Sequence, residues 1–232
     1  MAPKYLYLAI DLAAISLPLL FSFHPKANFS KKWKYLWPAI LVPGIFFLAW
    51  DEWFVRMGVW GFNPVYLTGI HVLSLPIEEV LFFICIPYAC VFTYEAVGHF
   101  SKKQSLEKAT HKATHILLLL FLAIGLSSFH LSYTFATGIL SFLFLAYLHF
   151  YLKPSYLGRF YLTYLFILVP FFAINGVLTG TGIEGQVVWY DNSENLGIRI
   201  GTIPVEDIFY GMLLILMNVT VFEWLQARAA KH

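Results

Sequence analysis

Charge is scarce in this chain. Only 12% of its 232 residues are Asp, Glu, Lys or Arg, about half the share of a soluble domain. With 59% hydrophobic residues and a mean hydropathy of +0.71, this excludes an ordinary soluble enzyme, a disordered chain and a nucleic-acid binder. Cysteine is nearly absent. Cys85 and Cys90, five apart in an apolar run, form neither a disulfide framework nor a metal motif and read as buried thiols. There is no G-x-G-x-x-G, no Walker loop and no H-E-x-x-H, so no nucleotide cofactor and no catalytic metal is expected.

Long apolar runs are what the chain has instead. A helix needs about 20 mostly apolar residues to cross a bilayer core. Seven stretches qualify: Tyr5–Phe23, Tyr35–Phe54, Pro76–Glu95, His115–Phe129, Leu131–Leu152, Phe160–Thr181 and Pro204–Gln226. Residues 113–152 carry no Asp, Glu, Lys or Arg. As one helix they would be about 60 Å long, so two spans with a turn at Ser127-Ser128-Phe129-His130 are expected. The first run reads as a retained span and not a signal peptide, because Asp11 interrupts it and no A-x-A site follows.

Lys and Arg set the orientation. Lys26, Lys31, Lys32, Lys34, Lys102, Lys103, Lys108, Lys112, Lys153, Arg159, Arg228 and Lys231 fall on one side, against Lys4, Arg56 and Arg199 on the other. The amino terminus is then outside and the carboxyl terminus cytoplasmic, in a multi-pass protein of the cell membrane.

The chain also repeats itself at a spacing of 127–128 residues. Ile40-Leu41-Val42-Pro43 recurs as Ile167-Leu168-Val169-Pro170, and Pro76-Ile77-Glu78-Glu79 as Pro204-Val205-Glu206-Asp207. Gly69 matches Gly197, and Glu95 matches Glu223. The fold class expected is therefore an all-α integral membrane protein with seven transmembrane helices. Residues 1–100 form a first three-helix repeat, 101–130 a connector with the fourth span, and 131–232 a second repeat. Three spans cross an odd number of times, so a parallel second copy needs one extra crossing. The two repeats are then related by an axis along the membrane normal, and matching motifs face one cleft.

Glu78, Glu79, Glu206 and Asp207 are the candidate catalytic residues. With each proline opening its helix, the acids fall in the first turn, where they also complement the macrodipole. Capping needs only one acid, and carboxyls at membrane depth are costly and usually functional. Four carboxyls in an apolar cleft cannot all ionise, so a proton donor sits beside an acceptor. Phe82 and Phe83, one turn below the first pair, and Tyr210 below the second are core rings or a cation-stabilising lining. Asp51, beside Trp50 and Trp53, reads either as an interfacial cap or as a site residue, with Asn175 at similar depth in span six. Asp11 reads as a structural hydrogen-bonding group. His71 and Arg199 pair with the acids or face headgroups. Glu95 and Glu223 are expected in ion pairs, outside the site. The remaining histidines, His24, His99, His111, His115, His130 and His149, show no ligand spacing.

At Leu75-Pro76-Ile77-Glu78-Glu79-Val80-Leu81-Phe82-Phe83 and Ile203-Pro204-Val205-Glu206-Asp207 the chain resembles the membrane-embedded lycopene cyclase family, in its fused two-repeat form. Phe23-His24-Pro25-Lys26 and Gly58-Val59-Trp60-Gly61-Phe62 extend the likeness, while Gly211 stands where the first half has its second Phe. The resemblance implies a lycopene β-cyclase, a redox-neutral isomerase that needs no cofactor and takes its carotenoid from the bilayer. An acid protonates the terminal double bond of a ψ end, the C5=C6 bond closes onto the cation, and loss of the C6 proton leaves a β-ring. The acids supply donor and acceptor, the rings face the cation, and the lipid setting excludes water. The alternatives are a proton-coupled transporter and a related hydratase or cyclase acting on another acyclic carotenoid. A retinal photoreceptor needs a lysine in span seven, and residues 204–226 contain none.

Overall fold

The computed structural model describes residues 3–25, 27–98 and 107–230. Lys26, His99, Lys102, Lys103 and Lys231, singled out above, lie outside the described residues. Among the described residues seven helices carry the fold: α1 Leu6–Phe21, α2 Trp33–Met57, α3 Ile77–Gly98, α4 Glu107–Ser127, α5 Ser132–Ala146, α6 Leu157–Leu178 and α7 Val205–Ala229. The α5 helix continues through a wider π turn over Tyr147–Leu152. Six of these stretches are long and apolar enough to cross a membrane. The α1 helix has 16 residues, about 24 Å of rise, so the first expected span is shorter than a full crossing. The chain is an all-α integral membrane protein. The turn between α4 and α5 falls at residues 128–131, where the Leu131 amide donates to the Ser128 carbonyl at 2.9 Å.

Sequence periodicity gives no strands, yet among the described residues six short ones pair at the end of the bundle that carries the acids. They are β1 Trp60–Phe62, β2 His71–Val72, β3 Leu75–Pro76, β4 Val188–Tyr190, β5 Arg199–Ile200 and β6 Ile203–Pro204. Strands β2–β3 form a hairpin leading into α3, and β5–β6 form its equivalent before α7. The β1–β4 pair joins the two halves in antiparallel register, Trp60 opposite Tyr190, Gly61 opposite Trp189 and Phe62 opposite Val188. At an offset of 128 residues these three pairs map onto themselves when the halves are exchanged. The ladder therefore lies across a pseudo-two-fold axis.

Hydrogen bonds repeat at the same offset. The Ile77 amide donates to Ile70, and the Val205 amide to Ile198, at 2.9 and 3.0 Å. At the far end Lys32 pairs with Glu95 and Arg159 with Glu223. These two acids thus stand in ion pairs, away from the paired motifs. The middle helices bind the halves together, because α2 packs on α7 as well as on α3, and α6 on α3 as well as on α7. The core is aromatic, with Phe47, Phe83, Tyr88, Phe121, Phe160 and Phe222 fully buried. Cys85 and Cys90 are free and buried.

Candidate active site

The two acids of each motif divide between two tasks. Glu78 and Glu206 turn back towards the loop before their helix. One Glu78 oxygen, Oε1, accepts from the Thr68 amide at 2.6 Å, and Glu206 Oε1 from the Leu196 amide at 2.8 Å, ten residues upstream in both halves. Glu206 Oε1 also accepts from the Thr134 hydroxyl at 2.6 Å. These first acids staple the hairpins to the helix ends, and neither is among the residues lining the chamber described next. Pro76 and Pro204 close β3 and β6, one residue ahead of the helix starts.

The second acids point into a chamber of about 550 Å³ between α1, α3, α6 and α7, roofed by β1 and β4. Glu79 Oε2 accepts from the Tyr7 hydroxyl at 2.6 Å. In the other half Asp207 Oδ1 accepts from the Tyr133 hydroxyl at 2.6 Å, and Oδ2 from Tyr190 at 3.0 Å. Tyr7 and Tyr133 are equivalent residues of α1 and α5, 126 apart. Asp51 also lines the chamber. Its carboxyl stands beside that of Glu79, and its Oδ1 accepts from the Tyr210 hydroxyl at 2.8 Å. Helix α2 runs on to Met57, so Asp51 is buried well inside it. The capping reading of Asp51 does not hold; Glu52 instead takes the terminal contacts, with Arg56 and with the Ser74 amide at 2.9 Å.

This wiring has chemical consequences. Two carboxyls side by side in an apolar chamber cannot both ionise, so the Asp51–Glu79 pair retains a proton. Asp207 accepts from a phenol at each oxygen, as a carboxylate does. Burial, with Asp207 beside it, pushes the Tyr190 phenol above its usual range and keeps it a donor. Trp60, Tyr133, Tyr190 and Tyr210 stand around these groups. Trp60 lies 5.0 Å from Tyr133 and 6.3 Å from Tyr210, ring centre to ring centre, and Tyr133 stacks on Tyr190 at 5.9 Å. Such faces attract a cation that enters the chamber.

Of the remaining candidates, Phe82 and Asn175 line the chamber. Phe83 does not; it is buried against Phe47 with ring centres 6.1 Å apart. Neither His71 nor Arg199 pairs with the acids. The His71 ring contacts the Gly69 carbonyl, and Arg199 donates to the Thr202 carbonyl and the Asn192 side chain. Asp11 is fully buried, and neither of its oxygens has a hydrogen-bond partner among the described residues, contrary to the structural bond expected of it. Tyr7, Tyr133 and Tyr190 escape a motif search because single tyrosines in apolar helices carry no signal. The equivalence of Tyr7 and Tyr133 across the repeat is the clue that finds them. Among the described residues no group of three or more His, Cys, Asp or Glu is placed to hold a metal ion.

A profile of the lycopene cyclase family matches residues 4–97 and 130–225. The two segments coincide with the two equivalent halves and leave α4 outside. Among curated proteins, the lycopene beta-cyclase of Halobacterium salinarum is 45% identical over 58 residues, 22% of this chain and 24% of that protein. The bifunctional lycopene cyclase/phytoene synthase of Aspergillus niger is 33% identical over 66 residues, 26% of this chain and 11% of that protein. The protein of the same name from Phycomyces blakesleeanus is 41% identical over 63 residues, 27% of this chain and 10% of that protein. Each alignment thus spans a quarter or less of the relative. No solved structure matches the chain significantly.

Proposed function

The chain belongs to the lycopene cyclase family, and we propose that it is a lycopene β-cyclase, an isomerase that closes the ψ end of its substrate inside the membrane. The observation that carries this reading is the gathering of Asp51, Glu79 and a doubly hydrogen-bonded Asp207 in one apolar, ring-lined chamber.

Glu79, drawing on the proton it shares with Asp51, protonates C2 of the terminal double bond and leaves a cation at C1. The C5=C6 electron pair attacks C1, the C1–C6 bond forms, and the charge moves to C5. Asp207 faces the developing charge with Trp60, Tyr133, Tyr190 and Tyr210, and accepts the C6 proton, whose C–H electron pair becomes the C5=C6 double bond of the β-ring. One proton enters and one leaves, so no electrons are exchanged and no redox cofactor is required. Phe82 and Asn175 line the path of the polyene. Water is excluded by the apolar walls, which protects the cation from capture.

The distribution of basic residues supports an outside amino terminus and a cytoplasmic carboxyl terminus, with the acids near the outer face. Two parallel three-helix repeats joined by α4 then place the chamber beside their common axis.

The test is expression in a bacterial host that accumulates lycopene, with pigments separated by chromatography. Monocyclic and bicyclic β-ring carotenoids are expected. Unchanged lycopene beside abundant, membrane-inserted protein would refute the assignment.

A further inference from the structure

Large side chains pack the space equivalent to the chamber in the other half. Exchange of the halves maps the chamber's second-half wall, Ile174 and Val177 of α6 and Gly211 of α7, onto Phe47, Trp50 and Phe83. The first three line the cavity. The last three are buried and stacked, with Phe47 centred 5.6 Å from Trp50 and 6.1 Å from Phe83. Tyr210 closes the same cluster, 5.1 Å from both Phe47 and Trp50. On α1 the chamber is lined by Ala13 and Ala14, and their equivalents on α5 are Ile139 and Leu140. Small residues thus hollow one side of the pseudo-two-fold axis, and large ones fill the other.

The open side is also elongated. Its lining runs along α3 from Glu79 to Thr93, about 21 Å of helix rise. The acids sit at one end, and the rest is mostly apolar. That is room for one end group and part of a polyene, not for a molecule presenting both ends to acids at once.

We infer that this protein has a single working chamber, that Gly211 and Ile174 set its bore, and that a substrate with two ψ ends is cyclised one end per binding event, with release of the monocyclic product in between. This inference rests on the cyclase reading for its consequence and on packing for its cause. A Cβ placed on Gly211 meets the Tyr164 hydroxyl at 3.4 Å and Phe171 at 3.5 Å, ordinary contact distances. Larger side chains must enter the chamber.

Two measurements test it on the full chain in nanodiscs. Lycopene binding is read by quenching of tryptophan fluorescence, for the parent and for Gly211→Ala, Gly211→Val and Gly211→Phe. Affinity is expected to fall with side-chain volume, by about tenfold or more for Phe, the scale of overpacking a filled site. Ile174→Phe, on another helix, is expected to do the same, which guards against a folding defect peculiar to position 211. Parental binding by folded Gly211→Phe and Ile174→Phe overturns the inference whatever the turnover. In the second measurement, labelled lycopene is chased with unlabelled lycopene during turnover by the parent. Labelled monocyclic product is expected to accumulate and persist; labelled bicyclic product alone overturns stepwise release. A parent that binds lycopene through a Gly211-dependent chamber but forms no β-ring refutes the cyclase reading and leaves the single chamber standing.

Discussion

The two halves share a polar frame and differ in what they pack beneath it. Glu79 and Asp207 each accept from a tyrosine of the first helix of their own half. Glu78 and Glu206 each tie down the loop ten residues upstream. Lys32–Glu95 and Arg159–Glu223 match at the opposite end. Yet Phe47, Trp50 and Phe83 fill the volume that Ile174, Val177 and Gly211 leave empty. Polar geometry and cavity volume are therefore specified by separate residues. The first is held by the obligation of buried polar groups to be paired. The second depends only on side-chain size, in interiors that otherwise pack at crystal density. A duplicated scaffold can keep both sets of acids in place while only one half makes room for a ligand.

The sharpest way to break this comparison is to exchange acids between the two tasks. Glu79→Gln and Asp207→Asn remove the groups proposed to donate and accept the reacting proton. Each is expected to lower β-ring formation per folded protein by about 10²–10⁴-fold. Glu78→Gln and Glu206→Gln keep the accepting oxygen that staples the hairpin, and should lose less than about tenfold, with the change confined to stability, where a hydrogen bond is worth roughly 1 kcal/mol. Equal loss of turnover in all four folded variants would abolish the division of labour.

That division is only half legible in the sequence. The Pro-x-acid-acid element is contiguous and occurs twice, so the acids announce themselves, as do the apolar lengths of the helices. Which acid of each pair faces the chamber depends on side-chain direction at the first turn of α3 and α7, which spacing alone leaves open. Tyr7 and Tyr133 reach the acids from helices more than seventy residues away and Tyr190 from strand β4, and strands of two or three residues carry no periodicity to detect. Asp51 is misplaced by a boundary: the apolar run of α2 fades at Phe54, while the helix continues to Met57 and takes Asp51 inside the bundle. The plug and the cavity are legible only in retrospect, since Phe and Gly at matched positions mean nothing until the two halves are superposed.

A second pair of equivalent residues sharpens the comparison at smaller cost. At the offset of Tyr7 and Tyr133, Asp11 of α1 corresponds to Thr137 of α5. Both are buried, and the Asp11 oxygens and the Thr137 hydroxyl lack hydrogen-bond partners among the described residues. Replacing a buried unpaired polar group by an apolar one of similar size recovers a desolvation penalty of about 1–3 kcal/mol. Asp11→Leu is therefore expected to raise the unfolding midpoint in detergent, and Thr137→Val to raise it less, because a hydroxyl is cheaper to bury than a carboxyl. A lower midpoint for Asp11→Leu would mean that its carboxyl is satisfied in the membrane, and that the two positions are not alike.

The smallest difference between the halves lies in their hairpins. The β2–β3 turn places Leu73 at φ 57°, and the β5–β6 turn places its equivalent, Gly201, at φ 64°. A side chain in this left-handed region costs about 1–2 kcal/mol, whereas glycine costs about 0.5–1 kcal/mol in lost chain entropy on folding. Leu73 is 76% exposed, so its removal forfeits little packing within the protein. On backbone grounds Leu73→Gly should stabilise slightly and Gly201→Leu should destabilise, each by up to about 1.5 kcal/mol, read as opposite shifts of the unfolding midpoint in detergent. The same pair of variants measured in bilayers carries a second term. Leucine at the tip of an outer hairpin, next to the exposed Val72 and Ile70, gains by dipping into the interface, up to about 1.5–3 kcal/mol if fully buried there. If Leu73→Gly stabilises in detergent but destabilises in bilayers, lipid contact explains why one half keeps a strained leucine where the other has glycine. If it destabilises in both, the strain account fails and the two hairpins are not equivalent in the way their φ angles imply.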